Sequence, residues 1–258
     1  MNLGIAGRKA IVCASSRGLG KACARALAEA GCEVVINGRD AKKLEAAVSE
    51  LSIAGVKVIP VVADVATAEG QKTLLAACPQ PDILVNNNAG PPMRDFRELT
   101  RQQMLDGVVA NMVVAIELIQ KVIDPMCERK FGRIVNITSG SVKMPLAGLD
   151  LSSGARAGLT AFLAGVARKV AERNVTINNI LPGAFDTDRL RSTLSKTAEQ
   201  QGKSIEEVAT VRRAGIPAKR YGDPDEFGAA CAFLCSAQAG YITGQNLLID
   251  GGTFNGAF

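Results

Sequence analysis

The chain has 258 residues, which is enough for one α/β domain to bury a complete core. Its 30 Lys and Arg residues exceed its 25 Asp and Glu residues, giving a net charge of +5, and the two signs are interspersed. This distribution argues against a nucleic-acid partner. No apolar run reaches the ~18 residues of a membrane span, and residues 1–9 lack the features of a signal peptide. We therefore expect no membrane partner and a cytoplasmic location.

Cysteine and histidine usage limits the possible chemistry. The seven cysteines lack metal-ligand spacing, and the chain has no histidine. We therefore expect buried free thiols and no metal site. Without histidine, proton transfer must fall to hydroxyl, thiol, amine or carboxyl side chains, or to a bound cofactor.

Strand and helix patterns alternate along the chain. The strands are mostly continuous apolar runs, as in a parallel sheet covered on both faces, and are predicted at 9–14, 33–37, 56–62, 82–86, 132–138, 176–181 and 245–249. Helices are predicted at 18–30, 41–54, 68–78, 101–130, 152–172 and 224–236. This order predicts one α/β domain, 1–258, with a doubly wound, seven-stranded parallel sheet.

A turn of small residues joins the first strand to the first helix. It consists of Ala14, Ser15, Ser16, Arg17, Gly18, Leu19 and Gly20. Glycines allow the backbone to approach a pyrophosphate, and a helix N-terminus offers free N–H groups and a positive dipole end. The turn therefore indicates dinucleotide binding, with an ordinary strand-to-helix turn as the alternative.

A second irregular segment, 186–222, is charged and has a predicted helical centre at 190–201. It follows a predicted strand, at a position where a mobile loop can cover a ligand. We expect it to act as a substrate lid.

Short motifs follow the later strands. They are Asp64-Val65, Asn87-Asn88-Ala89-Gly90, Pro182-Gly183 with Thr187, and Tyr241-Ile242-Thr243-Gly244-Gln245 with Asp250-Gly251-Gly252. In order and spacing they resemble the short-chain dehydrogenase/reductase family over essentially the whole chain, and within it the β-ketoacyl-carrier-protein-reductase-like branch. The resemblance implies a Rossmann fold, a nicotinamide cofactor and a homo-oligomer, either a tetramer or a dimer, paired through the helices at 101–130 and 152–172. The apolar faces of these helices could also serve only to cover the sheet.

The resemblance also implies a set of cofactor contacts. They are Ala14, Ser16, Arg17, Gly18, Leu19, Gly20, Arg39, Asp64, Val65, Asn88, Ala89, Gly90, Arg156, Pro182, Gly183 and Thr187. Family members that prefer NAD carry an acidic residue after the second strand, where this chain has Asn37-Gly38. Arg17 and Arg39 are placed to hold a 2′-phosphate, which predicts NADP(H) in preference to NAD(H). The alternative is two surface arginines.

The expected active site departs from the family pattern. Ser139 stands at the position of the family's catalytic Ser, and Asn111 matches an Asn that supports a water relay in many members. Thirteen residues after Ser139, where the family has Tyr-x-x-x-Lys, this chain has Ser152 and Arg156. A Tyr near pKa ~10 can be tuned to donate a proton, whereas Arg stays protonated above ~12 and Ser needs an adjacent base.

The proton donor is therefore an open question in the sequence. Lys143 lies between the two serines, and partial burial would lower its pKa toward a useful range, although a solvated loop residue is the alternative. Ser139 and Ser152 would bind the substrate's polar group, and Arg156 could bind ribose hydroxyls. A substrate such as an iminium ion would need little acid.

Three functions follow from this altered site. The first is an NADP(H)-dependent oxidoreductase with atypical proton supply, acting on a small carbonyl, alcohol or imine. The second is a cofactor-binding protein with little or no turnover, a sensor or partner subunit. The third is a non-redox lyase that resembles the halohydrin dehalogenases, against which Pro182-Gly183 and the Arg17/Arg39 pair weigh.

Overall fold

The computed structural model describes residues 2–52 and 55–256. Its centre is a seven-stranded sheet in the order β3-β2-β1-β4-β5-β6-β7, with every pair parallel. The strands are β1 Lys9–Val12, β2 Glu33–Gly38, β3 Val58–Val62, β4 Ile83–Asn86, β5 Gly132–Ile137, β6 Val175–Pro182 and β7 Asn246–Ile249. The predicted doubly wound parallel sheet is confirmed.

Helices connect the strands and lie on both faces of the sheet. They are α1 Gly18–Glu29, α2 Ala41–Leu51, α3 Ala68–Ala77, α4 Arg101–Val108, α5 Val114–Glu128, α6 Asp150–Val170, α7 Asp188–Gln201, α8 Ile205–Ala214 and α9 Pro224–Leu234. Short polar side chains cap several of them; the Thr67 side chain, for example, accepts from Gly70 N at the start of α3. Residues 53 and 54 of the second predicted helix, and 1, 257 and 258 of the predicted domain, lie outside the described residues.

Two apolar layers hold the helices against the sheet. On one face, side chains of α1, α2 and α9 form a cluster that includes Leu27, Leu44 and Phe227. On the other, side chains of α3, α5 and α6 form a cluster that includes Leu74 and Leu118. The central strands β1, β2, β4, β5 and β6 are buried along nearly all of their length, which explains their continuous apolar runs. The edge strands β3 and β7 are partly exposed.

The predicted helix at 101–130 contains a π-helical turn. This turn, Val109–Val113, joins α4 to α5 with helical backbone angles at both junctions. Such a turn contains one residue more than an α-helical turn and often marks a functional site. Here it contains Asn111, whose side chain is buried.

Segment 186–222 contains a second helix that the sequence patterns did not predict. Helix α8 begins at a capping box, in which the Ser204 side chain accepts from Glu207 N and the Glu207 side chain accepts from Ser204 N. This Ser-x-x-Glu spacing is a recognised start signal. Helices α7 and α8 share a small apolar cluster of their own, which includes Leu194 and Val208.

Six of the seven cysteines are buried, as expected, and Cys127 is half-buried. Within the described ranges, no group of three or more His, Cys, Asp or Glu side chains could hold a metal ion. Across the same residues, none of the helices has the length and hydropathy needed to cross a membrane.

Candidate active site

The turn from β1 into α1, residues 14–20, is called here the glycine turn. Ala14 has a φ of +45° and Gly18 a φ of +58°, both in the region that favours glycine. A methyl group at Gly20 would lie 2.5 Å from the Ala14 carbonyl oxygen, so only glycine fits there. Gly20 thus allows a close backbone approach, whereas the Cβ of Ala14 makes that residue strained. Leu19 packs its side chain against the core and leaves only its backbone facing the turn.

A buried side chain, Asn37, supports the glycine turn from below. Its Oδ1 accepts from Ala14 N at 3.3 Å, and its Nδ2 donates to Val61 O at 3.2 Å and Ala63 O at 3.0 Å. Its backbone N donates to Ser15 Oγ at 3.0 Å. Asn37 therefore joins the glycine turn to the ends of β2 and β3. The sequence analysis noted only that it is not acidic, although an Asn that ends a buried apolar strand is itself a signal.

The two arginines assigned to a 2′-phosphate lie at neighbouring loop ends. A methyl group at Gly38 would lie 3.1 Å from Ser16 Oγ, so the end of β2 contacts the glycine turn. Arg17 and Arg39 are both exposed. Arg39 Nη1 lies 3.6 Å from Asp64 Oδ2, so a bound phosphate would compete with this carboxylate.

Two asparagines, Asn87 and Asn88, follow directly after β4. Asn87 Nδ2 donates to Ala14 O at 3.2 Å, and Asn88 Nδ2 donates to Ala110 O at 3.2 Å in the π-helical turn. Asn88 Oδ1 also accepts from Ala89 N at 2.8 Å. The segment therefore ties the glycine turn to the helix that carries Asn111. Asn87 was quoted in the motif but not selected as a site residue.

Four asparagines at equivalent positions form what we call the asparagine ladder: Asn86, Asn136, Asn179 and Asn246. Each amide donates to the next: the Nδ2-to-Oδ1 distances are 2.9, 3.1 and 2.8 Å from β4 to β7. The ladder joins β4 to β7 at one level of the sheet, which is the last residue of β4, the penultimate residue of β5, the middle of β6 and the first residue of β7. Sequence analysis missed the ladder, although each of these four predicted strands contains one of its asparagines.

The side chain of Arg156 is buried against the end of β5. Its Nη1 donates to Ile137 O at 2.8 Å and Thr138 O at 3.0 Å, and its Nε donates to Ser152 Oγ at 3.2 Å, one turn earlier in α6. Burial, and then the charge of Arg189, lower the pKa of the Arg156 guanidinium to about 10. The sequence alone predicts a pKa above ~12 for this arginine, so burial has lowered it. Arg156 is nevertheless still a cation at neutral pH.

Ser139 and Lys143 flank a 3₁₀ turn, Gly140–Val142, that follows β5. Ser139 Oγ accepts from Ser141 N at 3.1 Å and caps this turn. Lys143 is exposed, and its Nζ lies 5.6 Å from the centroid of the Phe254 ring. Of the two alternatives for Lys143, the structure shows the solvated loop residue and not the partial burial that a lowered pKa would need.

Asn111 lies between the sheet and Arg156. Its Nδ2 donates to Gly107 O at 3.1 Å, while its buried Oδ1 has no hydrogen-bond partner among the described residues. A cavity of about 20 Å³ touches both Asn111 and Arg156. A cavity above ~10–15 Å³ has room for one water, and an unpaired amide oxygen is a partner for it.

A larger cavity, about 290 Å³, opens beside Gly90 and Asn111 and is called here the substrate cavity. Part of its wall is apolar, formed by Pro91, Pro92, Leu99 and Leu151. Arg94 and Asp106 supply charge. A small molecule with an apolar body and a few polar groups fits such a lining.

The Pro182-Gly183 segment and Thr187 complete the edge of the site. Gly183 N donates to Ile249 O at 2.9 Å, and a methyl group at Gly183 would lie 2.6 Å from Asp250 Cβ. Thr187 caps α7, and its Cγ2 would lie 3.9 Å from a methyl group at Gly18. The structure thus brings the glycine turn, Asn88–Gly90, Arg156 and Thr187 to the carboxyl edge of the sheet. Val65 is buried beside Asp64 at the end of β3.

Comparisons with known proteins agree with this geometry. The family described as enoyl-(acyl carrier protein) reductase matches residues 13–253. The chain is 33% identical to the 3-oxoacyl-(acyl-carrier-protein) reductase FabG of Vibrio harveyi, over 98% of this chain and 99% of that one. The L-sorbose reductase of Gluconobacter frateurii, in complex with NADPH and L-sorbose, superposes with a TM-score of 0.92 and 28% identity, over 99% of this chain and 100% of that one. A short chain dehydrogenase/reductase family protein superposes with a TM-score of 0.81 and 29% identity, over 97% and 98%. The likeness extends over the whole fold.

Proposed function

The chain belongs to the short-chain dehydrogenase/reductase family, and on that premise we propose an NADP(H)-dependent oxidoreductase acting on a small carbonyl, alcohol or imine substrate. One observation carries the proposal. Arg156 is a buried cation that lies with Ser152 at the carboxyl edge of the sheet, beside a glycine turn where only glycine fits at position 20. Parallel α/β sheets bind ligands at this edge.

The residues of the site fit the cofactor in the following way. The glycine turn and the N-terminus of α1 would hold the pyrophosphate, with Arg17 and Arg39 on the 2′-phosphate. Asp64 and Val65 would contact the adenine, with Asn88–Gly90 beside the sugar. Pro182, Gly183 and Thr187 would contact the nicotinamide side. The related L-sorbose reductase binds NADPH on the same fold.

The proposed chemistry relies on hydrogen bonding and charge. When bound, the nicotinamide cofactor supplies or accepts a hydride. Ser152 Oγ accepts from Arg156 Nε, which leaves its own O–H free to donate to a substrate oxygen. The cation at Arg156 stabilises negative charge on that oxygen. Ser139 follows β5, whose last residue, Ile137, accepts a hydrogen bond from Arg156. Asn111, with its unpaired Oδ1, would hold a water that delivers the proton to the substrate oxygen, because Ser152 contributes only a hydrogen bond.

A second function is favoured by the lack of a tuned acid. Lys143 is exposed, and neither Ser152 nor Arg156 replaces the tyrosine of the family as a proton donor. A protein that binds NADP(H) with little or no turnover would show the same features. Turnover of carbonyl and imine substrates decides between the two functions.

Two further features belong to this proposal. Segment 186–222, with the α7–α8 cluster, would act as a lid over the substrate cavity. A homo-oligomer, either a tetramer or a dimer, would cover exposed apolar side chains of α4 and α6, among them Met104, Leu105 and Phe162.

The cofactor assignment is tested with Arg39→Ala. A charge-assisted contact to a phosphate contributes ~1.5–3 kcal/mol, less where the charge is exposed, so NADPH affinity should fall about tenfold while NADH affinity changes little. Fluorescence titration with both cofactors measures this. Arg97→Ala is a matched control, because both arginine side chains are 74% exposed and paired with an Asp.

Two results would contradict the proposal. Equal losses for NADPH and NADH would remove Arg39 from the phosphate site, and a native chain that binds neither cofactor would remove the function itself. Cofactor binding without turnover, over a panel of small ketones, alcohols and imines, would select the second function.

A further inference from the structure

Two arginine side chains meet beside Gly90. A methyl group placed on Gly90 would lie 3.0 and 3.2 Å from Nη2 and Nη1 of Arg189, and 3.5 Å from Nη2 of Arg156. The guanidinium groups therefore approach one point from α6 and from the first turn of α7. Since Gly90 has no side chain, that point is open.

Neither guanidinium is neutralised by the protein. In the part of the chain that the structure describes, no carboxylate lies within 4 Å of Arg156 or Arg189. Arg191, two residues along α7, differs in this respect: its Nη1 lies 2.6 Å from Asp186 and its Nη2 lies 3.3 Å from Asp188. An arginine of this segment thus pairs with a carboxylate where one is within reach, and Arg189 extends toward a second cation instead.

The free donors of Arg156 point to the same place. Its Nε and Nη1 are used by Ser152, Ile137 and Thr138, while its Nη2 has no acceptor among residues 2–52 and 55–256. A buried cation next to a like charge is costly, and an oxyanion between the two groups would relieve the cost on both. Planar guanidinium groups suit carboxylate and phosphate oxygens in particular.

We propose that Arg156 and Arg189 clamp an oxyanion of the substrate, a carboxylate or a phosphate group, so that the protein acts on organic acids. This inference rests on the proposed function and names its substrate class. Gly90 also lines the substrate cavity, whose apolar wall includes Pro91, Leu99 and Leu151. A small oxo acid with an apolar body fits both features. The carboxylate of Asp106 and the guanidinium of Arg94 also line this cavity, and their opposite charges offset each other.

The cofactor is a second source of oxyanions. The glycine turn and the N-terminus of α1 already offer a pyrophosphate site, and Arg17 and Arg39 offer a 2′-phosphate site. Gly90 and Arg156 also belong to the proposed cofactor contacts, and Arg156 lines the smaller cavity beside Asn111. Gly90, however, forms part of the wall of the substrate cavity, and Arg189 is not one of the proposed cofactor contacts, so the clamp lies where cofactor and substrate would meet. An experiment must still separate the two.

The test compares three 2-oxo acids of increasing size with their methyl esters, by calorimetry, on the protein with and without NADP⁺. We expect each acid that fits to bind the native chain at least tenfold more tightly than its ester. Arg189→Gln should remove that preference, since one charge-assisted contact corresponds to about a factor of ten. Arg191→Gln is the matched control and should keep it, because Arg191 already pairs with Asp186 and Asp188.

The outcomes separate this inference from the proposed function. Equal affinity for acids and esters, or an unchanged preference in a folded Arg189→Gln variant, would overturn the clamp. Weaker NADPH binding with unchanged acid binding would assign Arg189 to a cofactor phosphate and also overturn it. A preference for acids in a chain that binds no NADPH would support the clamp while the proposed function fails, because these readouts need no turnover.

Discussion

At the scale of single residues, the site contains both a fitted and a strained position. Gly20 is required, since any side chain there would strike the Ala14 carbonyl oxygen. Ala14 carries a Cβ at a φ of +45°, where the side chain of an L-residue is unfavourable. Strain of this kind persists where the surrounding structure determines the backbone. Here Asn37 and Asn87 hold Ala14 by its N–H and its carbonyl oxygen.

Replacing Ala14 with Gly should therefore stabilise the fold. Relief of the left-handed strain contributes ~1–2 kcal/mol, and the greater freedom of Gly in the unfolded chain offsets ~0.4–1 kcal/mol of it. We expect a gain of about 1 kcal/mol and a melting temperature about 2–4 °C higher in thermal unfolding. Gly18→Ala, at a φ of +58°, should move the melting temperature the other way. A lower melting temperature for Ala14→Gly would show that the Cβ makes a compensating contact.

At the scale of elements, the asparagine ladder explains how β4 to β7 keep their register. Each inner amide has a donor and an acceptor neighbour on adjacent strands, whereas the buried Asn86 Oδ1 has no hydrogen-bond partner among the described residues. The ladder joins the strands that lead to Ser139 and to the Pro182-Gly183 segment, and Arg156 donates to Ile137 O at the end of one of them. It therefore supports the site without belonging to its surface.

Loss of an inner rung should be much more costly than loss of the outer one. Asn136→Ala leaves Asn86 Nδ2 and Asn179 Oδ1 without their ladder partners, and an unsatisfied buried group costs ~1–3 kcal/mol. We expect a loss of about 2–3 kcal/mol in urea denaturation. Asn246→Ala, at the exposed edge strand, should cost less than about 1 kcal/mol. Equal effects of the two changes would show that the ladder does not act as a connected unit.

At the scale of the whole molecule, apolar surface remains on one side. Helix α4 packs on α6, and their outer faces expose Met104, Leu105 and Phe162 by 44%, 49% and 48%. Large apolar side chains that stay exposed on packed helices are candidates for an interaction surface. A second copy of the same chain, paired through the same helices, would bury them in a self-complementary contact.

We expect the native chain to sediment as a homo-oligomer in analytical ultracentrifugation. Phe162→Glu should shift it to smaller species, because a carboxylate buried in an apolar contact is strongly unfavourable. Val211→Glu, at a 71% exposed position on α8, is the control and should leave the sedimentation unchanged. A native chain that sediments as a monomer would contradict the expectation.

The sequence by itself determined the architecture, because strand and helix patterns are local properties of the chain. Apolar runs such as the one at 132–138 indicated buried parallel strands, and the glycine turn marked the first crossover. That Ser152 and Arg156 stand where the family has Tyr and Lys is a prediction from the flanking residues, and it stays a prediction. Local spacing is sufficient for such inferences.

Only the tertiary structure decided what the side chains contact. The asparagine ladder depends on which strands pair and in which register, and the Arg156–Arg189 approach depends on where α7 packs. The π-helical turn at Asn111 and the exposure of Lys143 also became evident only in the folded structure. Hydrogen bonds and burial across the sheet join residues far apart in the chain, and no periodicity along the sequence reports them.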